Sequence, residues 1–176
     1  MALIRKTNPV ALDKQIDLFQ NDMWTALGFS DWESFHRVYG VPHGNGLIPE
    51  PFLVDGEYNG DVFHNDNVTI TSFFYASDSR TVEDGLTSVE VAWIFSMNLE
   101  ELYPLITLHR ADEEFNNAVQ NALIVSGWDE FELIRIDNGV DNVYREFITD
   151  QIKFTDMSEM NVVRFDFTVQ YTPDCT

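Results

Sequence analysis

Four histidines, thirty acidic side chains and one cysteine are the groups of this 176-residue chain best suited to chemistry. A catalytic or structural metal needs three or four ligands, and on a helix its histidines recur at i, i+4. His36, His43, His64 and His109 show no such spacing, and His64-Asn65-Asp66 supplies half a site. A calcium loop carries oxygen ligands at alternate positions and ends on a glutamate. Asp55, Glu57 and Asp61 do not complete that pattern, and neither does Asp137 with Asp141. A nucleophilic thiol needs a base and a lowered pKa, and Cys175, beside Pro173, has neither in its surroundings in sequence. As the single cysteine it forms no intrachain disulfide. His43-Gly44-Asn45-Gly46 reads as a turn, because no helix follows it to offer an N-terminus to phosphate. The expectation is a protein with no catalytic residues, no metal and no cofactor, and not an enzyme.

The elements that must position these groups follow from periodicity. Asn8-Pro9 is a helix start signal. Leu12, Ile16, Phe19, Met23 and Leu27 then recur every three or four residues as one helical stripe, which Gly28 can end. Ser30-Asp31-Trp32-Glu33 fits a capping box and predicts a short second helix that stops at Gly40. Pro42, Gly44, Gly46, Pro49, Pro51, Gly56 and Gly60 interrupt residues 41–66, which predicts a long irregular segment. Its apolar residues need something to pack on, either their own domain or a neighbouring subunit. In the second case Leu47, Ile48, Phe52 and Leu53 are the interface anchors.

Val68 to Tyr75 and Ser88 to Met97 read as an antiparallel hairpin joined by a polar turn from Ala76 to Gly85. A second long helix spans Asp112 to Val125, with Phe115, Val119 and Leu123 buried and Asp112, Glu113 and Glu114 favouring its dipole. Glu130 to Ile136 is a third strand, Val140 to Phe147 a short helix, and Val162 to Tyr171 the last strand. The predicted class is α+β: a mostly antiparallel sheet of about four strands with two main helices packed on it, plus a long irregular insert. One domain covers residues 1–176, with 41–66 as an extended loop or arm.

Charge narrows the function classes. The formal net charge is −20, of which residues 41–150 carry −17. Tight nucleic-acid binding needs a basic patch that releases phosphate counterions, and an anionic membrane would repel this field. No apolar run reaches the roughly 20 residues of a membrane helix, and the opening Met1-Ala2-Leu3-Ile4-Arg5-Lys6 predicts no signal peptide. Two readings of the acidity stay open: plain solubility, or a surface that must not stick to DNA passing close to it. Arg5, Lys6 and Lys14 read as a solvated end. Trp24, Trp32, Trp93 and Trp128 read as core or interface anchors, since base stacking comes with a positive groove.

Ile4-Arg5-Lys6-Thr7-Asn8-Pro9, leading into Ala11 to Leu27, resembles the opening of some bacteriophage neck proteins. Val163-Arg164-Phe165-Asp166-Phe167-Thr168-Val169-Gln170-Tyr171 is similar to the last strand of tail-terminator-like proteins, possessing the same order of elements. The nearest likeness is to ring proteins in the neck of crAss-like podophages, from which the 41–66 insert departs. The resemblance implies a structural virion protein, made in the host cytoplasm, that forms a homo-oligomeric ring between portal and tail. Its partners would be further copies, the portal and adjacent neck or tail proteins. DNA would pass through without sequence-specific binding, past acidic residues such as Glu83 and Asp84. The alternatives are an accessory virion module of baseplate or capsid decoration, a carbohydrate-binding domain, or a hydrolase using scattered acids.

Overall fold

The computed structural model describes residues 2–52, 62–63, 67–106, 108–149 and 160–172. Along them run β1 (Ala2–Ile4), α1 (Leu12–Leu27), β2 (Trp32–His43), β3 (Gly46–Pro51), β4 (Ile70–Glu83), β5 (Leu86–Asn98), α2 (Leu99–Leu102), α3 (Leu108–Ser126), β6 (Phe131–Asn138), α4 (Val140–Val143) and β7 (Met160–Tyr171). All seven strands join one sheet in the order β1-β2-β4-β5-β7-β6, and β3 pairs with β2. β1 and β3 share one edge of β2, β1 opposite Glu33–Phe35 and β3 opposite Val38–His43. β2 runs parallel to β1 and β4. The remaining pairings are antiparallel.

This corrects the expected fold class. The chain is mixed α/β with a seven-stranded sheet, not an α+β fold with about four strands. Two misread segments account for most of the difference. The helix expected from Ser30 to Gly40 is strand β2, which buries every second residue from Trp32 to Val38. A period of two at Trp32, Ser34, His36 and Val38 outweighs the local capping signal. The Asp31 carboxylate instead accepts a hydrogen bond from the Thr69 N–H at 2.9 Å, which ties the start of β2 to the start of β4. The irregular insert is also partly strand. β2 continues to His43, turns at Gly44-Asn45, and returns as β3.

Smaller shifts have local causes. α1 starts at Leu12 rather than beside Asn8-Pro9, because Asn8 and Ala11 take positive φ (51° and 49°) and no side chain caps the helix. The long polar turn after Tyr75 is also replaced by strand. β4 runs to Glu83, and only Asp84-Gly85 turns, both with positive φ (51° and 83°) as a two-residue hairpin loop requires. Only Val140–Val143 of the expected 140–147 helix is helical.

One face of the sheet carries α1 and α3. Leu12, Ile16, Phe19 and Met23 from α1 and Ala111, Phe115, Val119 and Ala122 from α3 join Trp32, Phe74, Trp93, Phe95, Phe165 and Phe167 in the main core. Phe19 is its hub. Its ring stacks on Phe131 at 4.0 Å and meets Phe74, Trp93, Trp128 and Phe167 edge-on. A buried polar chain fixes α1 against the parallel strands: Gln20 Nε2 donates to Ser34 O and Oγ, Ser34 Oγ bonds Ser72 Oγ, and the Trp32 indole donates to Ser72 Oγ at 2.9 Å.

The opposite face holds a smaller core of Val38, Phe73, Ala92, Ile94 and Val162, capped by Val143, Tyr144 and Phe147. The cap is anchored at its far end where the Ile148 N–H donates to Leu47 O at 2.8 Å. Gly46 makes room for it, since a Cβ there would overlap Ile148 Cγ2.

Two outcomes check this packing. Phe19→Ala should cost about 3–5 kcal/mol in a denaturant titration, the range for an aromatic removed from a close-packed core. Gly46→Ala should destabilise the fold through the Ile148 overlap, and Ile148→Ala in the same chain should restore part of the loss. A Gly46→Ala protein that melts like wild type would show that the cap does not lie on this hairpin.

Candidate functional site

Ionisable side chains concentrate in two places. The first is the sheet face beside the cap. Register lines up Phe73, Ile94, Arg164 and Asp137 in one row across β4, β5, β7 and β6, and Tyr75, Ala92, Asp166 and Arg135 in the next. Two irregularities border this patch. Ile134 is an extra residue in β6, and Ser77, Asp78 and Ser79 of β4 face the single Glu90 of β5. Bulges bend a strand and re-aim its side chains. Here they leave a cleft of about 470 Å³ over Ala92, Asp166 and the arginines.

Three guanidiniums converge on Asp166. Arg164 Nε donates to Oδ1 at 2.7 Å, and Arg135 Nη2 and Arg145 Nη2 donate to Oδ2 at 2.8 and 2.7 Å. Arg164, only 4% exposed, also donates to Glu146 Oε1 at 2.8 Å and to the Val143 carbonyl at 3.1 Å. Arg145 reaches Asp137 Oδ2 at 2.7 Å. Burial opposes the Asp166 charge, but hydrogen bonds from Arg145, Arg164 and Arg135 outweigh it and hold the carboxyl below its ordinary range. Such a carboxylate is a poor proton acceptor, and an arginine does not deprotonate. With Asp137, Glu146 and Asp166 against three arginines, the cluster is neutral. Its geometry is that of a clamp holding the cap to the sheet.

The second place is the buried flank of α1 that carries Asp13 and Asp17, near β1 and β2. Arg5 Nε donates to Asp17 Oδ1 at 2.7 Å, Lys6 pairs with Asp13, and Arg37 Nη1 reaches Asp13 Oδ1 at 3.1 Å. Arg5 and Lys6 therefore tie the N-terminal strand to α1 instead of forming a solvated end. The β2 bulge between Ser34 and Arg37 lets both His36 and Arg37 reach Asp13. His36 Nε2 lies 2.9 Å from the Asp13 carbonyl and must carry the proton, leaving Nδ1 buried with no partner among the described residues. Burial is the main reason the imidazole pKa is lowered; the nearby Asp13 offsets it in part.

The residues singled out from sequence scatter over the fold. Ile48 is 5% exposed inside its own chain, and Leu47 packs on the smaller core. Phe52 is half-buried, edge-on to Tyr39 at 6.2 Å. Glu83 and Asp84 are exposed at the tip of the β4–β5 hairpin. Leu53, His64, Asp55, Glu57, Asp61, Cys175 and the side chain of His109 lie outside the described residues. Among the described residues no group of three His, Cys, Asp or Glu side chains is placed to hold a metal. No helix among them is long and apolar enough to cross a membrane.

The arginine clamp escaped the sequence reading. Arg164 and Asp166 alternate with Val163, Phe165 and Phe167, and such alternation normally marks a solvated face. The available signal was an Arg-x-Asp pair on one strand face of an acidic chain. Scans of the sequence against known protein families and against curated proteins return no match.

Because the folded pKa of Asp166 lies below the unfolded one, its stabilisation is complete above the unfolded value near 3.8 and is lost as pH falls through the lower folded value. Asp166→Asn should therefore cost about 3–5 kcal/mol at neutral pH, the range for breaking a buried pair, and should flatten the acid limb of stability. Denaturant titrations from about pH 7 to about pH 2 read both effects. Equal stability of variant and wild type at pH 7 would show that the clamp contributes nothing.

Proposed function

We propose that this chain is a structural protein of a bacteriophage neck, a subunit of a homo-oligomeric ring that joins portal to tail and lets DNA pass through its channel. The reading gives it no catalytic role and places it in the virion, against the portal and adjacent neck or tail proteins. The observation that carries it is the β4–β5 hairpin. Pairing between β2 and β4 stops at Val38–Tyr75, so β4 runs on past β2, while β7 flanks β5 as far as Thr87 and only the Glu83–Leu86 rung and the Asp84-Gly85 turn extend beyond it. Residues 78–86 are exposed throughout, and the tip presents Glu83 and Asp84. The base beside them, Arg80, donates to the Tyr171 hydroxyl at 3.0 Å. A hairpin end with an exposed acidic tip suits a channel wall, where it would repel phosphate and let DNA slide. The likeness of both ends of the sequence to neck and tail-terminator proteins supports the same reading.

Like-charge repulsion between subunits acts over about 8 Å at physiological ionic strength and about 3 Å in molar salt. Light scattering behind a sizing column should therefore give a larger mass at about 500 mM salt than at about 50 mM. Negative-stain images of the larger species should show rings. A monomer at both salts and at high protein concentration would remove the support for self-assembly. A mass that falls with salt would show ion pairs holding the subunits. On assembled rings, Glu83→Lys with Asp84→Lys should retain duplex DNA that wild-type rings release, and equal release would take these two acids off the channel wall.

A further inference from the structure

The cleft over the arginine clamp keeps hydrogen-bonding capacity that the fold does not use. Arg135 spends Nε and Nη2 on Asp166 and Asp137, and its Nη1 has no partner among the described residues. The Asp78 and Glu90 carboxylates and the Tyr75 hydroxyl, all in the lining, have none there either. Burial and the nearby Glu146 and Asp78 charges raise the Tyr75 pKa, so the phenol keeps its proton and can donate. Its half-buried ring, set edge-on to Phe147 at 5.0 Å, and Ala92 supply apolar surface. The floor is fixed before anything binds: the Arg164 and Asp166 side chains are 4% and 7% exposed and hold each other at 2.7 Å. Groups already in place lower the ordering cost of binding. The volume of about 470 Å³ lies in the range of small-molecule sites.

The charges of the lining decide what fits. They are four acids, Asp78, Glu90, Glu146 and Asp166, and three arginines. An anion would meet guanidiniums whose charge Asp137, Glu146 and Asp166 already offset, with the carboxylates of Asp78 and Glu90 beside them. A cation would meet those two carboxylates, but also Arg135 and Arg145. An uncharged ligand rich in hydroxyls meets neither repulsion, because each hydroxyl can donate to a carboxylate and accept from a guanidinium or a phenol. Hydrogen bonds to charged groups are also the stronger kind.

We propose that this cleft binds an uncharged saccharide. Arg135 and Tyr75 donate to its oxygens, Asp78 and Glu90 accept from its hydroxyls, and the Tyr75 ring and Ala92 meet its C–H surface. The proposal goes beyond the ring reading and stands apart from it: the ring is tested by self-association, the cleft by retention of a sugar.

A glycan array of neutral, sialylated, sulfated and unacetylated amino-sugar oligosaccharides, probed with the labelled full chain, reads the ligand class. At least one neutral oligosaccharide should be retained. In calorimetric titration its affinity should change less than about twofold between about 50 mM and about 500 mM salt, since an uncharged ligand has no charge to screen. Asp78→Ala and Glu90→Ala, made singly, should each weaken it about tenfold or more, the loss expected for hydrogen bonds to a charged group. Neither carboxylate pairs within the fold, so denaturant titration should find both variants as stable as wild type. Tyr75→Phe, which removes one hydroxyl and keeps the ring, should weaken binding several-fold and gives an independent reading. Retention of no neutral oligosaccharide overturns the proposal. Retention confined to sialylated or sulfated chains, or to amino sugars, makes the ligand a charged one and overturns it too. Undiminished affinity in the three variants puts the saccharide elsewhere on the surface and likewise overturns it.

Discussion

The antiparallel pairing of β5 with β7 is the constraint on which the rest of the molecule depends. The two strands match residue for residue from Thr87–Tyr171 to Asn98–Met160. One parity sends Val89, Val91, Trp93, Phe95, Val163, Phe165, Phe167 and Val169 into the helix-side core. The other parity sends Ala92 and Ile94 to the opposite face, beside Arg164 and Asp166. A slip of one residue would drive a guanidinium and a carboxylate into an aromatic core, away from Arg135, Arg145 and Glu146. Register, the two cores and the ionic clamp are therefore one arrangement.

The two faces solve burial in different ways. On the helix side, α1 and α3 supply broad apolar stripes, and Phe19 alone contacts five aromatic rings. On the other side a four-residue helix and the turn after it cover part of the sheet. Such a short cap offers little apolar area, and charge-assisted hydrogen bonds from Arg145 and Arg164 add geometry to the attachment. Desolvation offsets much of the attraction within a buried pair of this kind.

Six of the ten lysines and arginines are spent inside the structure. Arg5, Lys6, Arg37, Arg135, Arg145 and Arg164 all pair with carboxylates of their own chain. The surface left to partners is therefore more uniformly acidic than a net charge of −20 spread over 176 residues implies. The acid-tipped β4–β5 hairpin is one consequence of this distribution, and it suits a surface that anionic polymers must pass.

Local sequence determined the elements whose periodicity meets a large apolar partner. The stripe from Leu12 to Leu27, the stripe through Phe115 and Val119, and the alternation of β5 and β7 were all legible, because each repeats its own geometry over several turns or rungs. Gly28 and Gly127 could be read as helix ends, and both take left-handed φ. Three things were settled only by tertiary contacts. Ser30 to Gly40 carried a helix-start signal, yet pairing with β1, β3 and β4 made it a strand, because ladder hydrogen bonds and burial outweigh one cap. Leu47 and Ile48 lay in a Pro/Gly-rich stretch whose β3 strand forms its ladder with β2 and is held further by the Ile148 N–H on Leu47 O. Asp166 looked like one more solvated acid until Arg135, Arg145 and Arg164, 31, 21 and 2 residues away in sequence, converged on it. A carboxylate's partners depend on how strands lie side by side, and that is a property of the sheet rather than of any window along the chain.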